Sequence, residues 1–340
     1  MKSIISMPPT TASGKSARVA PKPKPFPGQG QFGRKLILLV LSLCVCLALC
    51  ELGLRIFCRA SLGPADDERS LTYRYDPELG WFPVANSTKR FTGSRTITVH
   101  HNSKGLRDAE PVQTSRPAIL FLGDSLVWGF DAEESERFTE KLQAMHPEWA
   151  VYNFGVSGYG TDQEYLLLQK YFAEYRPRMV FLVVCGDNDN EDNAWNIRGG
   201  YYKPFFTLER GSLKVNNVPV PKSEKVFLAT HRVLCAPYVV RLVARAWFKL
   251  KSPPAFRNPD PPTGALLLDI RKYVTDRRAS FAVGLQHSHP DIEKFLRDFQ
   301  IPYISLETTN PAHIYADFGH HWTPEGQAFV AHKIDEFLKK

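Results

Sequence analysis

The chain has 340 residues, 43% of them apolar and 23% charged, with 43 Lys and Arg against 35 Asp and Glu. That length holds one large domain or two ordinary ones, and the composition excludes wholesale disorder, a collagen-like repeat and a multi-span membrane protein. Seven basic and no acidic residues fall within residues 1–35, which leaves 36 basic against 35 acidic over the remainder and excludes a basic nucleic-acid surface spread over a folded face.

Residues 1–35 are rich in Pro, Lys, Ser and Gly. They carry too little apolar surface to offset their ordering entropy and read as a disordered tail. Leu36 to Cys50 is apolar apart from Ser42, and beyond Glu51 the run continues to Phe57. As a helix the 22 residues of 36–57 span about 33 Å, enough for a bilayer. The Lys/Arg-only flank predicts that the tail stays cytoplasmic and the bulk of the chain crosses. Glu51 and Arg55, four apart, can pair near the far interface. A cleaved signal peptide fits poorly, because no small-x-small site closes the run. Leu49 is too large for a lipoprotein site before Cys50. Four of the six cysteines, Cys44, Cys46, Cys50 and Cys58, lie in or beside the run. None of the six has disulfide-framework or metal-ligand spacing, so they read as small apolar residues.

Residues 59–116 read as a connecting module of short strands and turns, with YDPELGWF at Tyr75–Phe82 and HNSKGLRD at His101–Asp108. From residue 117 the pattern alternates. Strands are predicted at 118–122, 150–153, 179–184, 281–285 and 303–306, and helices at 133–145, 162–175, 264–278, 290–299 and 324–338. Short apolar runs separated by helical patterns predict an α/β fold with a parallel sheet covered on both faces. Residues 194–260 break the rhythm and read as an insertion. Tyr201–Pro221 reads as a hairpin. Val226–Leu250 reads as a basic, aromatic helix that could serve as a lid, a substrate platform or a membrane-surface helix. Tyr201, Tyr202, Phe205 and Phe206 could stack on sugar, although packing is the plainer use of aromatic pairs in hairpins.

Ligands bind at the carboxyl ends of the strands in such sheets, so the segments after each strand carry the chemistry. GDSLVWG at Gly123–Gly129 presents Ser125 at a strand-to-helix turn, either as a nucleophile or as a helix cap. NFGVSGYGT at Asn153–Thr161 offers exposed backbone N–H groups, without the spacing of a nucleotide-phosphate loop. GDNDNEDN at Gly186–Asn193 could be turn formers or cation ligands. YADFGHHWTPEG at Tyr315–Gly326 offers Asp317, His320 and His321 before the last helix. Taken together these supply a hydroxyl nucleophile, a backbone donor, an amide donor and a His–Asp couple, the parts of acyl transfer.

In these four blocks, over residues 117–340, the sequence resembles the SGNH (GDSL-type) hydrolases. Its ELGLR stretch and its DPELGW and NSKGLRD motifs resemble a membrane-anchored bacterial subgroup. The resemblance implies a three-layer α/β/α, flavodoxin-like fold and an outward-facing, periplasmic catalytic domain on a single-pass inner-membrane anchor. It implies Ser125 as nucleophile, an oxyanion hole of Ser125 N–H, Gly158 and Asn188, with Asp189 buttressing the loop, and Asp317 orienting the base. His320 fits the D-x-x-H spacing. His321 stands five residues before Gly326, as the family's histidine stands before a helix-opening glycine, and is preferred. No metal or organic cofactor is implied. The expected substrate is an acylated small molecule, carbohydrate or lipid. The alternatives are an O-acyltransferase on envelope polysaccharide, a non-catalytic carbohydrate-binding relative, and a metal-dependent hydrolase or phosphodiesterase using the Asp-rich loop.

Overall fold

The computed structural model describes residues 29–63, 72–112, 114–316 and 321–339. The expected tail, up to residue 28, lies outside them. The chain divides into two units, Met1–Phe57 and Cys58–Lys340. The first holds helix α1, Gln29–Phe57, which begins ahead of the expected Leu36. It is the one helix among the described residues long and apolar enough to cross a membrane, and none of its apolar window is covered by protein. Arg55 Nε donates to Glu51 Oε1 at 2.6 Å, as the spacing predicts.

The second unit opens with a short helix, α2 (Arg59–Leu62), and two antiparallel hairpins. The first hairpin is β1 (Tyr73–Asp76) with β2 (Gly80–Pro83), and the second is β3 (Ser87–Thr92) with β4 (Thr96–His101). The alternating part follows as β5 (Ala118–Gly123), α3 (Ser125–Trp128), α4 (Phe138–Met145), β6 (Ala150–Gly155), α5 (Thr161–Tyr175), β7 (Met179–Val184) and α6 (Gly186–Ala194). The insertion carries strands β8 (Ile197–Arg198), β9 (Tyr201–Tyr202), β10 (Phe205–Glu209) and β11 (Ser212–Asn216), then helices α7 (Glu224–Thr230) and α8 (Tyr238–Lys251). The chain closes with α9 (Thr263–Thr275), β12 (Ser280–Leu285), α10 (Pro290–Asp298), β13 (Tyr303–Ser305) and α11 (Pro324–Leu338).

Five strands form one parallel sheet in the order β13-β12-β7-β5-β6. This is the flavodoxin-like arrangement, whose switch point lies between the first and third strands in sequence, here β5 and β7. The two-residue period of a strand sends alternate side chains to opposite faces. Leu120 and Leu122 of β5 enter a core shared with Leu168 and Phe172 of α5, Ile270 of α9 and Leu296 of α10. Ile119 and Phe121 enter a second core with Phe138 and Leu142 of α4 and Val330 and Ile334 of α11. The layers are therefore helix, sheet, helix. The upstream segment joins the first core, where Leu79, Trp81, Phe82 and Leu106 are buried with the strands.

Three local expectations are corrected. The helix predicted over 133–145 starts only at Phe138, because Glu133 and Glu136 close a capping box around a single 3-10 turn and Arg137 is extended. Val226–Leu250 is two helices. Pro237 has no N–H to continue a helix and disfavours helical backbone at the preceding residue; α8 begins just after it. The single hairpin predicted over 201–221 is divided, since β9 pairs back to β8 and β10 turns into β11 through Arg210 and Gly211. Both turn residues have positive φ, 52° and 80°, as a tight two-residue hairpin requires. Tyr201, Tyr202 and Phe206 are buried in packing.

The insertion is pinned to the sheet's carboxyl edge by Lys203. Its Nζ pairs with the Asp162 carboxylate at the start of α5 and donates to Asp192 O on α6 at 3.0 Å. Both side chains of the pair are fully buried. Burial raises the Asp162 carboxyl and lowers the Lys203 ammonium, against the attraction between them. Removing one member strands the other charge, which costs about 3–5 kcal/mol. Lys203→Met is expected to lower the urea-unfolding free energy by about that amount, and a loss below about 1 kcal/mol would show that the pair is not ionised.

Candidate active site

Ser125 opens α3 at the carboxyl end of β5. Asp124 before it caps the helix, its Oδ1 accepting from Leu126 N at 2.9 Å. The serine is therefore both the start of a helix and a side chain at the sheet edge. His321 lies just ahead of α11, which Thr323 caps by accepting from Gly326 N. A bridge between Ile314 and Trp322, with Tyr315 N donating to His321 O at 2.8 Å, fixes that loop. The result is a contact between two residues 196 positions apart: His321 Nε2 lies 2.8 Å from Ser125 Oγ. Phe130 stacks on the imidazole, with ring centroids 4.1 Å apart and planes at 15°. His321 is only 9% exposed, so the hydrogen bond is largely shielded from competing water. Asp317 and His320 lie outside the described residues.

Asn188 stands across the switch point, after β7. The segment expected as a loop of turn formers is helix α6, with Asn188 in its first turn. Arg198 fixes the amide orientation: its two terminal nitrogens donate to Asn188 Oδ1 at 3.2 and 3.1 Å. A guanidinium has only donors, so the amide nitrogen must point the other way. There it donates to Asp124 Oδ2 at 3.0 Å, beside the serine. Asp189 Oδ2 accepts from Cys185 N at 2.7 Å and holds the first turn of α6. Two further members of the segment are tied to other parts of the protein, Asp192 to Arg198 and Asn190 to Thr263. Among the described residues no group of three or more His, Cys, Asp or Glu is arranged to hold a metal ion.

Gly158 has φ +80°, the left-handed region that glycine enters without strain. Two residues before it, Val156 N donates to Gly123 O at 3.1 Å, so the loop is joined to the serine turn. Gly155 makes the approach possible, because a Cβ there would lie 2.1 Å from Trp128 N.

Several site residues were not anticipated from the sequence. Asn153 Nδ2 donates to Val127 O at 2.6 Å and its Oδ1 accepts from Gly155 N at 2.9 Å, locking serine turn and glycine loop together. The upstream motifs supply the rest. In DPELGW, Asp76 Oδ1 accepts from Glu78 N and Leu79 N at 2.9 and 3.0 Å, turning the hairpin. That turn delivers Trp81, whose Nε1 donates to Ser157 O at 3.3 Å. Ser157 N donates in turn to Tyr73 Oη at 3.2 Å. In NSKGLRD, the Arg107 guanidinium donates to the carbonyls of Trp128, Gly129 and Ala132 at 3.0, 2.5 and 2.6 Å. It closes the carboxyl end of the serine helix. Asp108 Oδ2 accepts from Asn153 N at 3.0 Å, and burial pushes its carboxyl up to about 7. The signal for these roles was the pair of motifs itself, dense in Asp, Asn, Gly and Trp within a segment otherwise short of apolar pattern.

No family model and no curated protein matches the chain. Solved structures do. A protein described as lipolytic, of the G-D-S-L family, from Desulfitobacterium hafniense aligns at 9% identity and TM-score 0.40 over 65% of this chain and 99% of its own. The psychrotrophic esterase EstA from a Pseudoalteromonas species aligns at 11% identity and TM-score 0.39 over 66% of this chain and 97% of its own. TesA aligns at 13% identity and TM-score 0.39, over 65% and 98%.

Proposed function

We propose that the chain is a membrane-anchored serine esterase of the GDSL type that cleaves acyl esters through an acyl-enzyme. The observation that carries this reading is the 2.8 Å contact between Ser125 Oγ and His321 Nε2 at the carboxyl edge of the parallel sheet. A hydroxyl is a weak nucleophile until an adjacent base takes its proton, and this distance is within reach of that transfer.

The steps follow from the residues. His321 Nε2 accepts the hydroxyl proton as Ser125 Oγ bonds to the ester carbonyl carbon. The carbonyl electrons move onto oxygen. The Ser125 N–H, the Gly158 N–H and the Asn188 amide are the donors assigned to that oxyanion. As the carbonyl re-forms, the alcohol leaves with the proton held on His321. Water then adds to the acyl-enzyme by the same route and releases the carboxylic acid. Asp317, four residues before His321, is the carboxylate assigned to orient the imidazole and stabilise its charged form. The residues assigned here need no cofactor. The substrate class is an ester on envelope carbohydrate or lipid, and the catalytic body is assigned to the periplasmic side. A sugar hydroxyl in place of water would turn the same acyl-enzyme to acyl transfer.

Two measurements test this. A fluorophosphonate probe and p-nitrophenyl acetate are offered to the detergent-solubilised full chain. Wild type is expected to label and to turn over, Ser125→Ala and His321→Ala to do neither, and His320→Ala to keep both. Labelling that survives in Ser125→Ala overturns the assignment of the nucleophile. Asn188→Ala is expected to lower kcat by about 100- to 1000-fold, the usual cost of one oxyanion donor, with KM nearly unchanged. A kcat within about threefold of wild type would remove Asn188 from the oxyanion hole.

A further inference from the structure

Helix α8, in the insertion, does not resemble a covered helix. Leu242, Val243, Trp247 and Leu250 are 45, 64, 60 and 82% exposed. At about 100° per residue these four fall on one arc of roughly 140°. The opposite face is packed, with Tyr238 and Ala244 buried. Lys249 and Lys251 project from the two edges of the apolar arc, and Lys251 Nζ lies 5.7 Å from the centre of the Trp247 ring. The preceding turn adds Val233 and Leu234, 92 and 59% exposed. An apolar arc with tryptophan, bordered by lysines, is the pattern of a helix lying in a membrane interface, with rings at headgroup depth and ammonium groups reaching water.

What covers this face is indicated by where α8 is fastened. Arg241 Nη1 donates to Leu62 O at 2.8 Å, and Arg245 Nη2 donates to Ser61 O at 2.5 Å. Both carbonyls belong to α2, and Ser61 and Leu62 follow Phe57, the last residue of the apolar helix α1, by four and five positions. Two arginines thus tie α8 to the first residues of the chain after a bilayer-length apolar helix. A helix held there is within reach of the lipid surface by connectivity alone.

We propose that α8 docks in the plane of the membrane through Leu242, Val243, Trp247 and Leu250, with Lys249 and Lys251 on the lipid headgroups, so that the catalytic body is held at the surface at a second point. This rests on the reading of α1 as a membrane anchor. Docking would set the body's orientation and leave it positioned for esters at the membrane surface.

Tryptophan emission tests the proposal in the full chain. Of the six tryptophans, none lies in α1. Trp81, Trp128 and Trp322 are buried and Trp149 and Trp195 half-buried, which leaves Trp247 as the exposed one. The protein is reconstituted into vesicles of phosphatidylcholine and phosphatidylglycerol, with and without acyl chains brominated near the headgroup. Wild type is expected to lose emission in brominated vesicles, and Trp247→Phe to lose that bromine-dependent component. Val243→Asp, which leaves the reporter in place and charges the centre of the arc, is expected to abolish it too. Equal quenching in wild type and Trp247→Phe, or undiminished quenching in Val243→Asp, overturns the proposal, whether the face then meets a second copy or only water. Failure of the protein to float with the vesicles would instead overturn the anchor beneath it.

Discussion

A parallel sheet buried on both faces confines its polar chemistry to its edges, and this constraint governs the molecule. Every residue of β5 is buried, so the strand can offer a reactive group only where it ends. Ser125 is the second residue past that end. The hydrogen bond to His321 spans 196 residues of sequence, yet it is a local consequence of topology. The serine turn follows the first strand of the sheet, and His321 precedes the helix that covers the same strand's second core. The switch point between β5 and β7 then places Asn188 beside Asp124, because the crossovers leave that gap in opposite directions.

Holding three loops at one edge requires burying polar groups, and the electrostatics show the strain of doing so. Glu164 in α5 is fully buried, and burial, with Asp189 and Asp124 nearby, raises its carboxyl well above the usual range. Asp189 is raised as well, again chiefly by burial. Among the described residues neither Glu164 carboxyl oxygen accepts a hydrogen bond, and burial without such a partner disfavours the charged form of a carboxyl. Lys203 and Arg198 balance the remainder through Asp162 and Asp192. The network fixes α5, α6 and the insertion against one another more than it stabilises them, since burying charge recovers little net free energy.

Much of this was legible in the sequence where one physical rule acted alone. All five core strands were readable because a strand buried on both faces is a short continuous apolar run, and the boundaries differ only at the ends. That the segments holding Ser125, Gly158, Asn188 and His321 lie at the sheet's carboxyl edge was readable because each segment follows a strand or precedes a helix; the roles of these residues rest on the resemblance. What escaped was set by competition between rules. Asp and Asn are turn formers by propensity, yet Gly186–Ala194 is helical, with Asn190 and Asp192 finding partners in the distant side chains of Thr263 and Arg198 rather than in neighbouring backbone. Likewise the apolar period of 226–250 concealed Pro237, which divides the segment regardless of pattern.

The upstream motifs bear on what counts as the site. Residues 59–116 read from the sequence as a connector, and a connector could be exchanged for another of the same length. Their contacts argue otherwise. Trp81 and Tyr73 hold both the carbonyl and the N–H of Ser157, next to the glycine assigned to the oxyanion. Arg107 caps the carboxyl end of the serine helix, and Asp108 holds the strand leading to the glycine loop. Donors assigned to an oxyanion act only if they are fixed before the charge develops, and two of the contacts that hold the Ser157–Gly158 loop come from outside the α/β body. The segment between the apolar helix and the sheet is thus a structural part of the candidate site. The four blocks that resemble a hydrolase would, without it, leave the glycine loop short of two of its backbone partners.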